Sequence, residues 1–245
     1  MSDPTDRAPF IDIPGDLPGI RGLFAFKPET GTALSEFAQT LLRGTSPLTP
    51  GERETIAAYV SSRNKTYFCT QSHAATAAAL VEGGRDLIDA VIEDVESAAI
   101  DPKLRALLRI ADKVRRSGLD VTPEDVENAR AAGAEDEDIH DAVLVAAAFC
   151  MFNRYVDGLA TVAPRERATY EQIGGLLATG GYVAAAAARG AAGGGAGGHV
   201  GVPPRGGGAQ QAVQTGRTRI ALMSRYSARY ARPSARASAA MSSMS

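Results

Sequence analysis

Twice in this chain a threonine-proline pair is followed by an acid at the third position: Thr49-Pro50-Gly51-Glu52 and Thr122-Pro123-Glu124-Asp125. In this pattern the Thr hydroxyl accepts from the backbone N–H three residues on, and the acid reaches back to the N–H of the Thr. Pro fits the first helical position because its missing N–H would have no partner there. Such a start commits the downstream residues to a helix, and the apolar ones among them recur at helical spacing. Helices are predicted over Ala33–Leu42, Glu52–Arg63, Tyr67–Glu82, Arg85–Ala99 and Pro102–Arg116. Others run from Thr122 to the Gly133 stop, then over Glu135–Leu159 and Arg165–Ala178. Strands favour Val, Ile and aromatics, yet aromatics make up only 6% of the residues and Trp is absent. The expected fold class is therefore all-α, a single domain of about seven helices packed through small residues.

The expected boundaries follow from punctuation and charge. Residues 1–30 carry Pro14, Pro18 and several glycines and are expected to be extended over the surface. The helical domain takes residues 31–183. Residues 184–245 are Ala/Gly runs followed by a Ser/Arg/Ala segment. They lack a periodic apolar face to offset the entropy of ordering, so a disordered basic tail is expected. That stretch holds eight arginines and no acid or Lys, so the formal charge of −2 for the whole chain puts −10 on residues 1–183. An acidic body argues against nucleic acid as the partner of the folded domain. Met1–Thr30 has no apolar run and does not read as a signal peptide. The longest apolar run, Ala142–Phe152, is about half of what a membrane span requires. The expectation is a cytoplasmic protein without a membrane anchor, whose two cysteines stay reduced unless they do chemistry.

The residues with chemical potential are concentrated between Glu52 and His73. Cys69 and His73 stand four apart, which on a helix puts them on one face, one turn from each other. Cys69 also falls in the first turn of its helix, where free backbone N–H groups and the dipole favour an anion. Both effects are expected to lower its thiol pKa from about 8.5 toward neutrality. Glu54, on the preceding helix, can orient the imidazole if the two helices pack antiparallel, completing a nucleophile, base and orienting acid. The bland alternative is a packed thiol and a surface imidazole. A zinc site needs more than one Cys and one His, and His140 and His199 lie far off, so neither metal nor cofactor is expected. Cys150, among Ala146, Ala147, Ala148, Phe149, Met151 and Phe152, reads as an inert core thiol. Asn153, Arg154 and Asp157 either line the site or mark where the helix emerges into solvent, with Arg154 and Asp157 as an i,i+3 pair.

The passage from Glu54 to His73 resembles the core motif of the alkylhydroperoxidase D and carboxymuconolactone decarboxylase superfamily, particularly its peroxidase-related branch. That motif is a Glu, then Cys-x-x-Cys, then a His four residues after the second Cys. Glu54, Cys69 and His73 fall on the Glu, the second Cys and the His. The segments Asp141–Gly158, Pro18–Leu23 and Tyr170–Leu176 are similar as well, so the resemblance spans roughly residues 17–183. It implies a helical homo-oligomer, a trimer or hexamer, that reduces hydroperoxides at the expense of an external thiol, with Cys69, His73 and Glu54 as catalytic residues.

Thr66 stands where the first motif Cys belongs, so the dithiol–disulfide cycle implied by the resemblance cannot run at this site. Three outcomes remain open. Cys69 works as a lone peroxidatic thiol, Cys150 resolves its sulfenic acid, or the peroxidase chemistry is lost. Thr66 and Cys150 are thus the accessory candidates. The alternatives to a thiol peroxidase are a carboxymuconolactone decarboxylase-like lyase using His73 and Glu54 for proton transfer, and a non-enzymatic helical assembly module.

Overall fold

A computed structural model describes residues 7–13 and 17–192, with side chains as far as Val183. Among these residues the only regular structure is helical: α1 (Ile20–Phe26), α2 (Pro28–Arg43), α3 (Pro50–Arg63), α4 (Tyr67–Ala78), α5 (Gly84–Glu93), α6 (Pro102–Arg116), α7 (Pro123–Ala131), α8 (Asp136–Gly158) and α9 (Arg167–Ala192), with a 3₁₀ turn at Gly118–Asp120. The all-α expectation holds.

Both threonine-proline starts form as predicted. Glu52 N donates to Thr49 Oγ1 at 3.2 Å while Thr49 N donates to the Glu52 carboxylate at 2.7 Å. Asp125 and Thr122 repeat the exchange at the start of α7. Asp101 caps α6 by accepting from Lys103 N at 2.7 Å.

Two expectations about the ends of the domain need correction. Ile20–Phe26 is a helix, and α2 already begins at Pro28, so residues 1–30 are not extended throughout. Leu23, fully buried, explains why: the short helix packs an apolar side chain into the body. At the other end the backbone stays helical to Ala192, past the expected boundary at residue 183. The rest of the expected tail, with His199, lies outside the described residues.

The main core gathers Leu42 and Leu48, Ile56 and Val60 of α3, Leu107, Leu108 and Ile110 of α6, and Val145, Phe149 and Phe152 of α8. α8 is long and apolar enough to cross a membrane, but 44% of its most apolar window is buried within the protein. A second cluster lies between α4, the end of α8 and α9: Phe68, Cys69, Val156, Tyr170 and Ile173. Here α9 presses closely on α4. A Cβ on Gly174 would sit 2.7 Å from the backbone carbon of Ala75, so only glycine permits this approach.

α3 and α4 pack side by side, and Gly51 at the start of α3 lies against Leu80 and Val81 just past the end of α4. The pair is therefore an antiparallel helical hairpin, and this brings Glu54 level with His73.

Candidate functional site: a buried Glu54–His73 pair and a sealed thiol

Glu54 is fully buried on α3. One of its oxygens, Oε2, lies 2.7 Å from His73 Nδ1. The other, Oε1, takes Arg43 Nη2 from α2 at 2.7 Å and the Tyr182 hydroxyl from α9 at 2.7 Å. Burial alone would push this carboxyl up. The facing imidazole, the Arg43 charge and the Tyr182 hydroxyl outweigh it and hold the carboxyl below its ordinary value. Glu54 is therefore an anion with both oxygens occupied, and its bond to Nδ1 leaves His73 Nε2 as the nitrogen free for proton exchange.

Aromatic rings wall the imidazole. Phe149 meets it edge-on with centroids 4.5 Å apart, and Tyr182 lies nearly parallel to it at 6.3 Å, with its hydroxyl 3.4 Å from Nδ1. Burial and the Glu54 charge raise the Tyr182 phenol well above its ordinary range, so it stays a donor. Tyr182 reaches this position through a break in α9. Gly181 adopts φ 68°, ψ −167°, and Gln39 Oε1 accepts from Tyr182 N at 2.7 Å. A Cβ at Gly181 would lie 2.4 Å from that same Gln39 oxygen. Arg43 completes the enclosure by donating to Leu177 O at 3.1 Å and lying over the Tyr182 ring.

The thiol departs from expectation. Cys69 is in the first turn of α4 but is 3% exposed, packed in the cluster formed by Phe68, Val156, Tyr170 and Ile173. Burial pushes its thiol up to about 12, a hydrogen bond with the Asn153 amide works the other way, and the Asp157 charge adds to the rise. The expected lowering toward neutrality is overturned because desolvation outweighs the local field of the helix start. Thr66 is the N-cap residue of α4 by position, yet its hydroxyl makes no cap. It donates instead to Asp157 Oδ2. Burial raises the Asp157 carboxyl above its ordinary value, with the Thr66 hydrogen bond opposing the rise.

Cys150 is not sealed among apolar side chains. It is half-buried, with its sulfur 3.7 Å from Asn64 Nδ2 and 3.8 Å from Arg115 O. Asn64 also donates to Asn153 Oδ1 at 2.9 Å, and Asn153 donates to Ser61 Oγ at 3.0 Å. Two amides thus link the surroundings of the two free thiols. Asn153 and Asp157 face the site, while Arg154 donates to the carbonyl of Cys150 at 2.9 Å. His140 is remote from all of this and pairs with Asp141. Among the described residues, no group of three or more His, Cys, Asp or Glu side chains could hold a metal ion.

Arg43 and Tyr182 are not among the residues expected from the sequence. Neither carries a local signal, since their role depends on α2 and α9 converging on α3.

Residues 28–113 match the carboxymuconolactone decarboxylase family, a span that holds Arg43, Glu54, Thr66, Cys69 and His73. A solved peroxidase-related protein from Silicibacter sp. TM1040 is 30% identical, with TM-score 0.58, over 64% of this chain and 81% of its own. The chain belongs to the carboxymuconolactone decarboxylase superfamily. A second superfamily structure, described as an alkylhydroperoxidase AhpD core and a peroxidase-related protein from Ralstonia eutropha JMP134, is 27% identical. Its TM-score is 0.58, with 66% of this chain and 83% of that one covered. No curated protein matches the chain. The matched superfamily segment ends before α8 and α9, so Asn153, Asp157 and Tyr182 are supplied from beyond it.

Proposed function

We propose that this protein is a one-cysteine thiol peroxidase in which His73, held by Glu54, is the base for Cys69. The observation that carries the reading is the 2.7 Å contact between the fully buried Glu54 carboxylate and His73 Nδ1, which leaves Nε2 free on a residue four positions after Cys69 in the same helix. The names of the two solved relatives, both peroxidase-related, point the same way.

A thiol pushed up to about 12 is protonated at neutral pH. It cannot attack as a resting thiolate, so proton removal belongs to the attack step. His73 takes the Cys69 proton as the sulfur bonds to the distal peroxide oxygen and the O–O bond breaks. The same proton passes to the departing alkoxide, giving an alcohol and a Cys69 sulfenic acid. The sulfur loses two electrons and the peroxide gains them. An external low-molecular-weight or protein thiol then condenses with the sulfenic acid, releasing water. A second such thiol frees Cys69 and leaves as the external disulfide. This reading suits a reducing cytoplasm, where such thiols are abundant.

The test is peroxide treatment followed by a sulfenic-acid-specific probe and peptide mapping. The expected adduct is on Cys69, absent in Cys69→Ser and greatly slowed in His73→Ala. Full peroxide turnover by Cys69→Ser would overturn the proposal.

The high pKa of the buried thiol also favours a second reading, a lyase in which Glu54 and His73 move protons on a lactone acid and sulfur is a spectator. Decarboxylation that survives Cys69→Ser and disappears in His73→Ala would establish it.

A further inference from the structure

A pocket of about 400 Å³ opens where the end of α3, the start of α4 and the end of α8 meet. It is lined by Asn64, Thr66, Asn153, Arg154, Asp157 and Gly158. Two of these connect it to the sulfur. Thr66 precedes Cys69 by one turn, and the Asn153 amide, buried to 1% exposure, is close enough to draw the Cys69 thiol down against the effect of burial. Asn153 is itself fixed, accepting from Asn64 and donating to Ser61, so the pocket wall on the side of the thiol includes a held amide.

The lining is unusual in its chemistry. Five of the six residues present hydrogen-bonding side chains, two of them charged, and the sixth has no side chain. Ligand pockets are more often lined mainly by apolar groups with a few polar ones. The Asp157 carboxylate already accepts from Thr66 and the Arg154 guanidinium already donates to Cys150 O. Each has further hydrogen-bonding capacity that a hydrocarbon chain would strip of water and not replace, and that loss is costly. A small molecule rich in hydroxyls replaces the water those groups lose.

We infer that this pocket is the route by which the oxidant reaches Cys69, and that it selects small hydrophilic hydroperoxides, hydrogen peroxide foremost, over acyl and aryl hydroperoxides. The inference rests on the thiol-peroxidase reading of Cys69 for its substrate class, but the route to the thiol is testable without it.

Gly158 makes the test clean. It lines the pocket, and a Cβ built on it meets nothing within 4 Å, so a side chain there costs the fold little. Iodoacetamide labelling of Cys69, followed by peptide mapping, is expected to be about tenfold slower in Gly158→Phe than in the wild type. Gly158→Ala should match the wild type, and thermal melts check that both variants are folded. Equal Cys69 labelling in Gly158→Phe and wild type overturns the route. In the wild type, hydrogen peroxide is expected to oxidise Cys69 about tenfold faster than cumene hydroperoxide at equal concentration, the ratio that the loss of one hydrogen bond to the lining would impose. Equal or reversed rates overturn the selectivity. Labelling that depends on Gly158, together with no oxidation of Cys69 by either peroxide, overturns the peroxidase reading and the substrate class while leaving the route standing.

Discussion

The Thr66 hydroxyl donates to the Asp157 carboxylate, within the lining of the pocket and one helical turn ahead of Cys69. A hydroxyl that would otherwise cap α4 is thereby engaged, and a group unable to resolve a sulfenic acid holds the place where a second thiol would act.

Thr66→Cys should therefore convert the chemistry. Two thiols three residues apart at the start of α4 can close on each other after one is oxidised. Peroxide should then give a product lighter by two hydrogens, with no sulfenic-acid adduct, where the wild type gives the adduct. The lost hydrogen bond to Asp157 should cost about 1 kcal/mol in a urea melt. An adduct that persists in Thr66→Cys would show that the two positions cannot meet.

Alkaline pH should loosen the fold through Cys69. Its folded thiol stands at about 12, whereas an unfolded one ionises near about 8.5. The unfolded chain thus releases its proton first. The stability contributed by keeping the thiol protonated is complete below about pH 8.5 and is lost as pH rises toward the folded value. Urea midpoints should fall between about pH 8 and about pH 10.5, and fall less in Cys69→Ala. Labelling of Cys69 should likewise keep rising through this window, and a plateau near neutrality would contradict the burial argument.

Glu54→Gln should be costly on two counts. It leaves Arg43, whose side chain is 11% exposed, without its anion, and stranding one member of a buried pair costs roughly 3–5 kcal/mol. The acid limb should change too. A carboxyl held below its ordinary value contributes stability above the unfolded pKa of about 4.3 and loses it as pH falls through the folded value, so Glu54→Gln should be less sensitive to acid in that range. Thermal melts at two pH values test both statements. A variant as stable as wild type at neutral pH would mean that the cluster holds nothing together.

The sequence revealed those parts of the structure that depend on neighbours along the chain. The Thr49 and Thr122 boxes set the starts of α3 and α7, and the short connection between α3 and α4 forced their hairpin, so Glu54 and His73 could be paired in advance. Ile20–Phe26 was hidden because Pro14, Pro18 and Gly19 crowd its approach and hold no helical period of their own. Tyr182 was hidden for another reason: it meets Glu54 across 128 positions. The Cys69 thiol departs from its sequence expectation for the same physical reason. The helix start acts locally and could be read, but the desolvation comes from Val156, Tyr170 and Ile173, which no spacing rule assigns to one cluster.

Because one carboxylate joins α2, α3, α4 and α9 while also orienting the imidazole, whatever holds the fold together at this point also sets the geometry of His73. An acid is demanded at position 54 by the arginine and phenol that lean on it, independently of any chemistry at the imidazole. The carboxylate–imidazole pair is thus maintained by the architecture itself, available to any molecule whose chemistry can use it.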